Sequence, residues 1–150
     1  MRVREFIRED KKAFLELCER FYESGSTVLG FNKAIAEKTF LRVLDHHENL
    51  WGYLFTDEDT GSLVGYALTT SYWSNEEGGD VIVLDEIYID PVNRHKGYAH
   101  IFMNWLDEHF CDAAAITLEV LESNTRACKF YEKAGFKPDG YISYSKKIKR

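Results

Sequence analysis

The chain has 150 residues, a formal net charge of −6 at pH 7 and a hydrophobic content of 45%. This length and apolar content predict a single domain over 1–150 with one packed core. The acidic balance argues against nucleic acid as a main partner, because phosphate binding favours a basic surface. No apolar run reaches the roughly 18 residues of a membrane span, and no hydrophobic signal region opens the sequence. Three cysteines without a C-x-x-C pair favour a reducing compartment, so we expect a cytoplasmic protein.

Strand and helix patterns follow one another through the first half of the sequence. Apolar residues at helical spacing, with Asn32 placed to cap the second helix, indicate two helices after a weakly alternating opening strand. The period then changes to two on either side of an Asp- and Gly-containing turn at 57–61, which predicts a hairpin. The predicted elements are strands over 1–7, 50–56 and 62–72 and helices over 8–24 and 32–46.

The second half predicts strands and helices in alternation. A strand rich in β-branched residues at 81–89 is joined through a helix to a strand at 115–121, and a right-handed crossover of this kind makes the two strands parallel. The order βααβββαβαβ therefore predicts an α/β domain with a mixed sheet and helices on both faces. The remaining predicted elements are helices over 98–110 and 124–134, a final strand over 141–148 and, as an optional element, a short strand at Phe136.

The segment 94–99, R-H-K-G-Y-A, forms the turn between the strand at 81–89 and the following helix. A strand, a basic glycine turn and a helix N-terminus in succession direct backbone N–H groups at a phosphate. Gly97 lets the backbone approach an oxygen-rich ligand where a side chain would collide. The pattern alone also fits an ordinary turn that starts a helix, and it lacks the glycine spacing of a Walker loop or a dinucleotide fingerprint.

A second motif, N-T-R-A-C-K-F-Y-E-K-A-G-F at 124–136, follows the turn in the sequence. Together the two segments resemble the GCN5-related N-acetyltransferases, whose signatures read Q/R-x-x-G-x-G/A and, roughly, N-x-x-A-x-x-F/L-Y-x-x-x-G-F. The order of elements fits this family along essentially the whole chain. The resemblance implies a central mixed sheet of roughly six to seven strands, flanked by about four helices and splayed between the strands at 81–89 and 115–121.

The resemblance also implies acetyl-CoA as co-substrate and a place for each part of it. The pyrophosphate lies on the amides of the 94–99 turn and of the first turn of the next helix. The pantetheine arm lies in the splayed gap and pairs like a strand with backbone groups of Ile87 and Ile89, while a main-chain N–H near Tyr88 polarises the acetyl carbonyl. The implied contacts with coenzyme A are Ile87, Tyr88, Ile89, Arg94, His95, Lys96, Gly97, Tyr98, Ala99, His100, Asn124, Ala127 and Tyr131.

Three side chains of the second motif have implied roles, two of them with alternatives. Tyr131 is the implied general acid near the sulfur, because a phenol can protonate a departing thiolate. Without the family context, Tyr131 fits a core position beside Cys128 and Phe130. Asn124 both caps its helix and hydrogen-bonds the pantetheine. Arg126 either meets a phosphate of the co-substrate or is an exposed helix arginine.

The strand at 81–89 holds two adjacent carboxylates, Asp85 and Glu86, in an otherwise apolar run. An alkyl ammonium with a pKa of about 10.4 must lose a proton before it attacks a thioester, and a positioned carboxylate lowers that barrier. Adjacent strand residues point to opposite faces, so only one of the two enters the cleft. We favour Glu86 as the base, with Asp85 as the second choice. Alternatively, one of them binds the substrate ammonium or caps a loop, and water takes the proton.

The sequence therefore predicts direct acetyl transfer to a primary amine of a small molecule, such as a polyamine or aminoglycoside, or of a protein. Glu23, Glu76 and Glu77, beside the strand carboxylates, make the acceptor side acidic. The alternatives are an acyltransferase that uses a different acyl-CoA and a non-catalytic acyl-CoA sensor. No metal site is expected, because neighbours such as His46 and His47 diverge on a helix. The family resemblance is compatible with a homodimer.

Overall fold

The structure is a computed structural model that describes residues 1–46 and 49–149. These residues form one five-stranded sheet with helices on both faces. The strands are β1 (Arg2–Glu5), β2 (Leu50–Thr56), β3 (Leu63–Ser74), β4 (Gly79–Ile89) and β5 (Ala115–Leu118). The α-helices are α1 (Lys11–Glu23), α2 (Lys33–Leu44), α3 (Tyr98–His109) and α4 (Thr125–Lys133).

The sheet is mixed, and its parallel pair is β4 and β5. β1 to β4 are antiparallel neighbours in that order, and α3 connects β4 to a parallel β5, which confirms the predicted crossover. Pairing between β4 and β5 runs from Val81 and Ala115 to Leu84 and Leu118 and then stops. β4 continues to Ile89 without a β5 partner, so the last part of its outer edge is open.

Apolar side chains bury both faces of the sheet. α1 and α2 cover one face, where Phe14 and Phe40 stack with ring centroids 5.8 Å apart. α3 covers the other face, where Phe102 packs on Phe55 with centroids 4.8 Å apart. Burying one such large apolar side chain contributes about 1.5–3 kcal/mol. Because β4 contributes side chains to both clusters, it is held firmly from both sides.

A bulge interrupts the ladder between β3 and β4. Leu68 faces Glu86 but Thr69 faces Leu84, which leaves Asp85 as an extra residue without a partner on β3. A bulge bends its strand and turns the extra side chain away from the regular alternation. The bulge therefore gives the two neighbouring carboxylates of β4 different surroundings at the point where β4 loses its β5 partner.

The C-terminal part of the fold differs from the prediction. The strand expected over 141–148 and the short one at Phe136 do not form, so the described chain has five strands rather than six to seven. The segment 141–148 has the alternation of a strand, but a strand also needs a backbone partner. Here the segment is held by side-chain hydrogen bonds such as that from Tyr141 to Glu76, and its apolar side chains stay exposed.

Candidate active site

A cavity of about 510 Å³ opens where β4 and β5 part. One wall is formed by the outer edge of β4, the turn before α3 and the first residues of α3. The facing wall is formed by α4 and the residues after β5, and the end of α1 closes one side. The structure brings together all the site residues predicted from the sequence except Glu86 and Lys96. The predicted residues that line it are Asp85, Ile87, Tyr88, Ile89, Arg94, His95, Gly97, Tyr98, Ala99, His100, Asn124, Ala127 and Tyr131.

The turn before α3 leaves backbone donors free at the cavity. Gly97 has a φ of 78° and begins the helix without a side-chain cap, and the first helical hydrogen bond runs from the Ile101 N–H to the Gly97 carbonyl. The N–H groups of the preceding helical residues have no partner within the helix. With the positive end of the helix dipole behind them, these groups are suited to bind an anion.

Two arginines add positive charge to this end of the cavity. The Arg94 Nε donates to the Ile89 carbonyl at 3.1 Å, which fixes the side chain beside the end of β4. Burial, together with the nearby charge of Arg126, lowers the pKa of Arg94. The two guanidinium groups repel each other, and a bound anion would reduce that repulsion. Lys96, by contrast, does not line the cavity, and its Nζ donates to the Asn93 side chain at 3.2 Å.

Tyr98 anchors the turn to the sheet. Its hydroxyl donates a short hydrogen bond to the carboxylate of Asp57, in the turn between β2 and β3. This bond holds the pKa of Asp57 at about 2. The same carboxylate accepts N–H groups from Asp59 and Thr60. The backbone donors of the α3 turn are thus braced against a second ordered turn.

α4 places its two motif residues on the opposite wall. The side chain of Asn124 accepts the Ala127 N–H at 3.3 Å, which confirms the predicted cap. Tyr131 lies farther along the helix, lines the cavity and packs edge-on against Phe130 and Phe136. Burial, with a smaller effect of the Cys128 thiol, raises the pKa of Tyr131 to about 12. Its hydroxyl therefore stays protonated throughout the neutral range.

Asp85 brings negative charge to the cavity. It is the bulge residue of β4, and Glu119, which follows β5, lines the cavity with it. Burial and the charge of Glu119 raise the pKa of Asp85. Sequence reasoning missed Glu119. The strand predicted over 115–121 includes Glu119, so the sequence did not indicate that β5 ends before this residue.

Glu86 lies behind the cavity wall rather than in it. Only 8% of this residue is exposed, on the face of the sheet that α1 covers. One carboxylate oxygen accepts the Tyr22 hydroxyl at 2.6 Å, and the other accepts the Tyr66 hydroxyl at 2.7 Å. Burial raises the pKa of Glu86 despite these two hydrogen bonds. The sequence did not predict either tyrosine as a partner of this carboxylate.

The fold has counterparts among known proteins. Residues 11–136 match the model of the Acetyltransferase (GNAT) family. The chain belongs to this family. Among curated proteins, the D-amino-acid N-acetyltransferase HPA3 of Saccharomyces cerevisiae (strain ATCC 204508 / S288c) is 24% identical to this GNAT protein over 133 residues, which cover 87% of this chain and 81% of HPA3.

Solved structures share the fold of this GNAT protein. A possible acetyltransferase from Clostridium difficile 630 superposes with a TM-score of 0.84 at 16% identity, over 99% of this chain and 98% of that one. The aminoglycoside N-acetyltransferase AAC(6')-Iy in complex with CoA superposes with a TM-score of 0.80 at 14% identity, over 98% and 94% of the two chains. At these identities the likeness establishes the fold alone.

Within residues 1–46 and 49–149, no group of three or more His, Cys, Asp or Glu side chains of this GNAT protein is arranged to hold a metal ion. Of the neighbours His46 and His47, His47 lies outside the described residues. No helix in the described part of the chain is both long and apolar enough to cross a membrane.

Proposed function

We propose that this protein transfers an acetyl group from acetyl-CoA directly to a primary amine of a cationic acceptor. The observation that carries this proposal is the separation of charge along one cavity. Arg94, His95 and Arg126 line one end, together with the free N–H groups of α3. Asp85 and Glu119 directly follow the last β4–β5 pair and line the other end, where the open edge of β4 begins, whereas Arg94 binds the Ile89 carbonyl where that edge finishes. A polyanionic donor and a cationic acceptor fit these two ends without competing for the same groups.

The donor half fits coenzyme A. The free N–H groups after Gly97 and the two arginines suit a pyrophosphate and a further phosphate. The outer edge of β4 beyond Leu84 has no strand partner, and an extended chain of amides can pair with such an edge as a strand would. Asn124 and Ala127 line the facing wall. When bound, acetyl-CoA supplies the activated acetyl group, and the protein positions it.

The acceptor half fits an ammonium. Asp85 attracts and orients the acceptor amine, and Glu119 adds to the negative potential. Glu86 remains the candidate base, because its raised pKa lies closer to neutral pH than the pKa of an exposed carboxylate does. Since Glu86 does not line the cavity, it takes the proton through another group.

Tyr131 is proposed to assist departure of the thiolate. A hydroxyl with a pKa of about 12 is protonated at neutral pH, so it can donate to the sulfur without a prior ionisation. Full proton transfer to a thiolate with an ordinary pKa of about 8.5 is uphill. We therefore assign Tyr131 a hydrogen bond to the sulfur as negative charge develops there, with proton transfer completed as the thiol leaves.

The acidic end of the cavity favours some acceptors over others. HPA3 is a D-amino-acid N-acetyltransferase, and AAC(6')-Iy is an aminoglycoside N-acetyltransferase. A free amino acid carries a carboxylate next to its amine, and Asp85 and Glu119 would repel it. An acceptor with several positive charges and no carboxylate, such as a polyamine, an aminoglycoside or a lysine side chain of a protein, suits the site better.

The first test is an assay of thiol release from acetyl-CoA with spermidine, an aminoglycoside, a lysine peptide and a D-amino acid as acceptors. We expect turnover with the polycations at least about tenfold above turnover with the D-amino acid, since like charges at the acceptor end cost more than about 1.4 kcal/mol. Tight binding of acetyl-CoA without turnover on any amine would instead identify an acyl-CoA sensor. Faster turnover with a longer acyl-CoA would identify a different donor.

A matched pair of glycine variants tests the donor half. Gly97 and Gly78 both have left-handed φ angles, 78° and 72°, and a Cβ on either meets no atom of the protein. Gly97→Ala and Gly78→Ala should each lower the free energy of unfolding by about 1 kcal/mol. Only Gly97→Ala should also weaken coenzyme A binding, by about tenfold, because its methyl group enters the phosphate site. Equal coenzyme A affinities in a calorimetric titration would contradict this placement.

The pH dependence of the reaction tests the role of Asp85. Because its pKa is raised, Asp85 becomes protonated at a higher pH than an exposed aspartate does. The kcat/KM for a cationic acceptor should therefore fall on the acid side as Asp85 loses its charge. Asp85→Asn should lower kcat/KM and move the acid limb to lower pH, because only Glu86, whose pKa the charge of Asp85 helps to raise, then titrates. Tyr131→Phe should lower kcat by about 100-fold and retain the limb. An unchanged limb in Asp85→Asn would assign the titration to another group.

A further inference from the structure

Glu86 is a buried carboxylate next to the cavity wall that Asp85 and Ile87 form. It lies under α1 among apolar side chains, where an ion is costly unless it is well partnered. Both of its oxygens accept tyrosine hydroxyls, and among the described residues no Lys, Arg or His forms an ion pair with it. A carboxylate in such a place, beside the cavity, is a candidate for a functional role.

Neither of the two tyrosines that hold Glu86 lines the cavity, and they differ in burial. Tyr66 is fully buried in β3. Tyr22 is half-buried near the C-terminal end of α1, and its ring packs edge-on against Phe21, which lines the cavity, with ring centroids 5.4 Å apart. The charge of Asp85, another lining residue, helps to raise the pKa of Tyr22. Tyr22 is therefore the partner of Glu86 that lies toward the cavity.

We propose that Tyr22 relays the proton of the acceptor ammonium to Glu86. This inference rests on the proposed acetyl transfer and names the route by which Glu86 takes part in it. The ammonium N–H bond breaks and its proton passes to the Tyr22 oxygen, while the hydroxyl proton of Tyr22 passes to the near oxygen of Glu86. Tyr22 ends as it began, Glu86 becomes a neutral acid, and the amine keeps the lone pair that attacks the acetyl carbonyl.

The other groups that face Glu86 do not offer the same route. From α1, the Cys18 thiol lies nearby, and burial with the charge of Glu86 raises its pKa to about 12, so it stays neutral. From β3, Tyr66 has no exposed surface. From β4, Asp85 adds negative charge, which favours a protonated Glu86. These surroundings allow Glu86 to accept a proton and leave Tyr22 as the group that delivers it.

The test compares Tyr22→Phe with Tyr66→Phe. Each variant removes one hydroxyl and one hydrogen bond of similar length to the same carboxylate, 2.6 Å and 2.7 Å. With a polyamine acceptor at pH 7, Tyr22→Phe should lower kcat by about 100-fold. That loss should shrink as the pH approaches the amine's own pKa of about 10.4, since a growing fraction of the amine then binds already unprotonated and needs no relay. Tyr66→Phe should lower kcat by less than about fivefold, and the pH dependence of its kcat should match that of the unaltered protein.

A second comparison separates a relay from a packing effect. Glu86→Gln should lower kcat by the same factor as Tyr22→Phe. The double variant should show no further loss of kcat, because both changes interrupt one proton path. Acetyl-CoA affinity and the urea unfolding midpoint establish that each variant is folded. Equal losses in Tyr22→Phe and Tyr66→Phe, a loss that does not change with pH, or additive losses in the double variant would overturn the relay. If the unaltered protein acetylated no amine, the proposed function would fail and the relay with it.

Discussion

The parting of β4 from β5 after four paired residues is the constraint on which the site depends. A continuous parallel ladder would leave no gap, and the outer edge of β4 would be satisfied by its neighbour. Because pairing stops at Leu84 and Leu118, the amides of the following residues face an open cavity. Two apolar clusters hold β4 from either side, so the gap is kept open by the rest of the fold.

The bulge at Asp85 adds chemistry to this opening. It lies one residue beyond the last β4–β5 pair, and it places the two neighbouring carboxylates in different surroundings. Asp85 lines the cavity, where burial and the charge of Glu119 raise its pKa, while Glu86 lies under α1 between two tyrosines. In the proposed mechanism, Asp85 attracts the ammonium of the acceptor and Glu86, which burial keeps away from bulk water, holds its proton.

Local sequence patterns were sufficient to predict the turn before α3 and the cap of α4, which belong to the proposed donor half of the cavity. A glycine with φ of 78° at the start of α3 and a capping asparagine at the start of α4 are requirements of short segments, and both could be predicted from the residues around them. The acceptor half depends on contacts distant in sequence. Tyr22 and Glu86 are 64 positions apart, and the bulge at Asp85 depends on the register with β3, for which the sequence of β4 has no signal. Strand alternation predicted that only one of the two carboxylates enters the cleft; in the structure Asp85 lines the cavity and the favoured Glu86 does not.

The C-terminal segment marks another limit of pattern reasoning. Its alternation at 141–148 is typical of a strand, but alternation describes only which side chains share a face. A strand also requires a neighbour with free backbone groups in register. In the described chain, β5 is four residues long and this segment does not pair with it, so the predicted strand is absent.

In the proposed mechanism, the gap beside β4 and the turn before α3 form one coenzyme A site. Backbone amide NMR during a titration with coenzyme A can test this placement. We predict saturable shifts of the amides at 87–89, 97–100 and 124–127, with β2 almost unaffected. Saturable shifts confined to β2, α2 or the segment 141–148, with 87–89 and 97–100 unchanged, would contradict it.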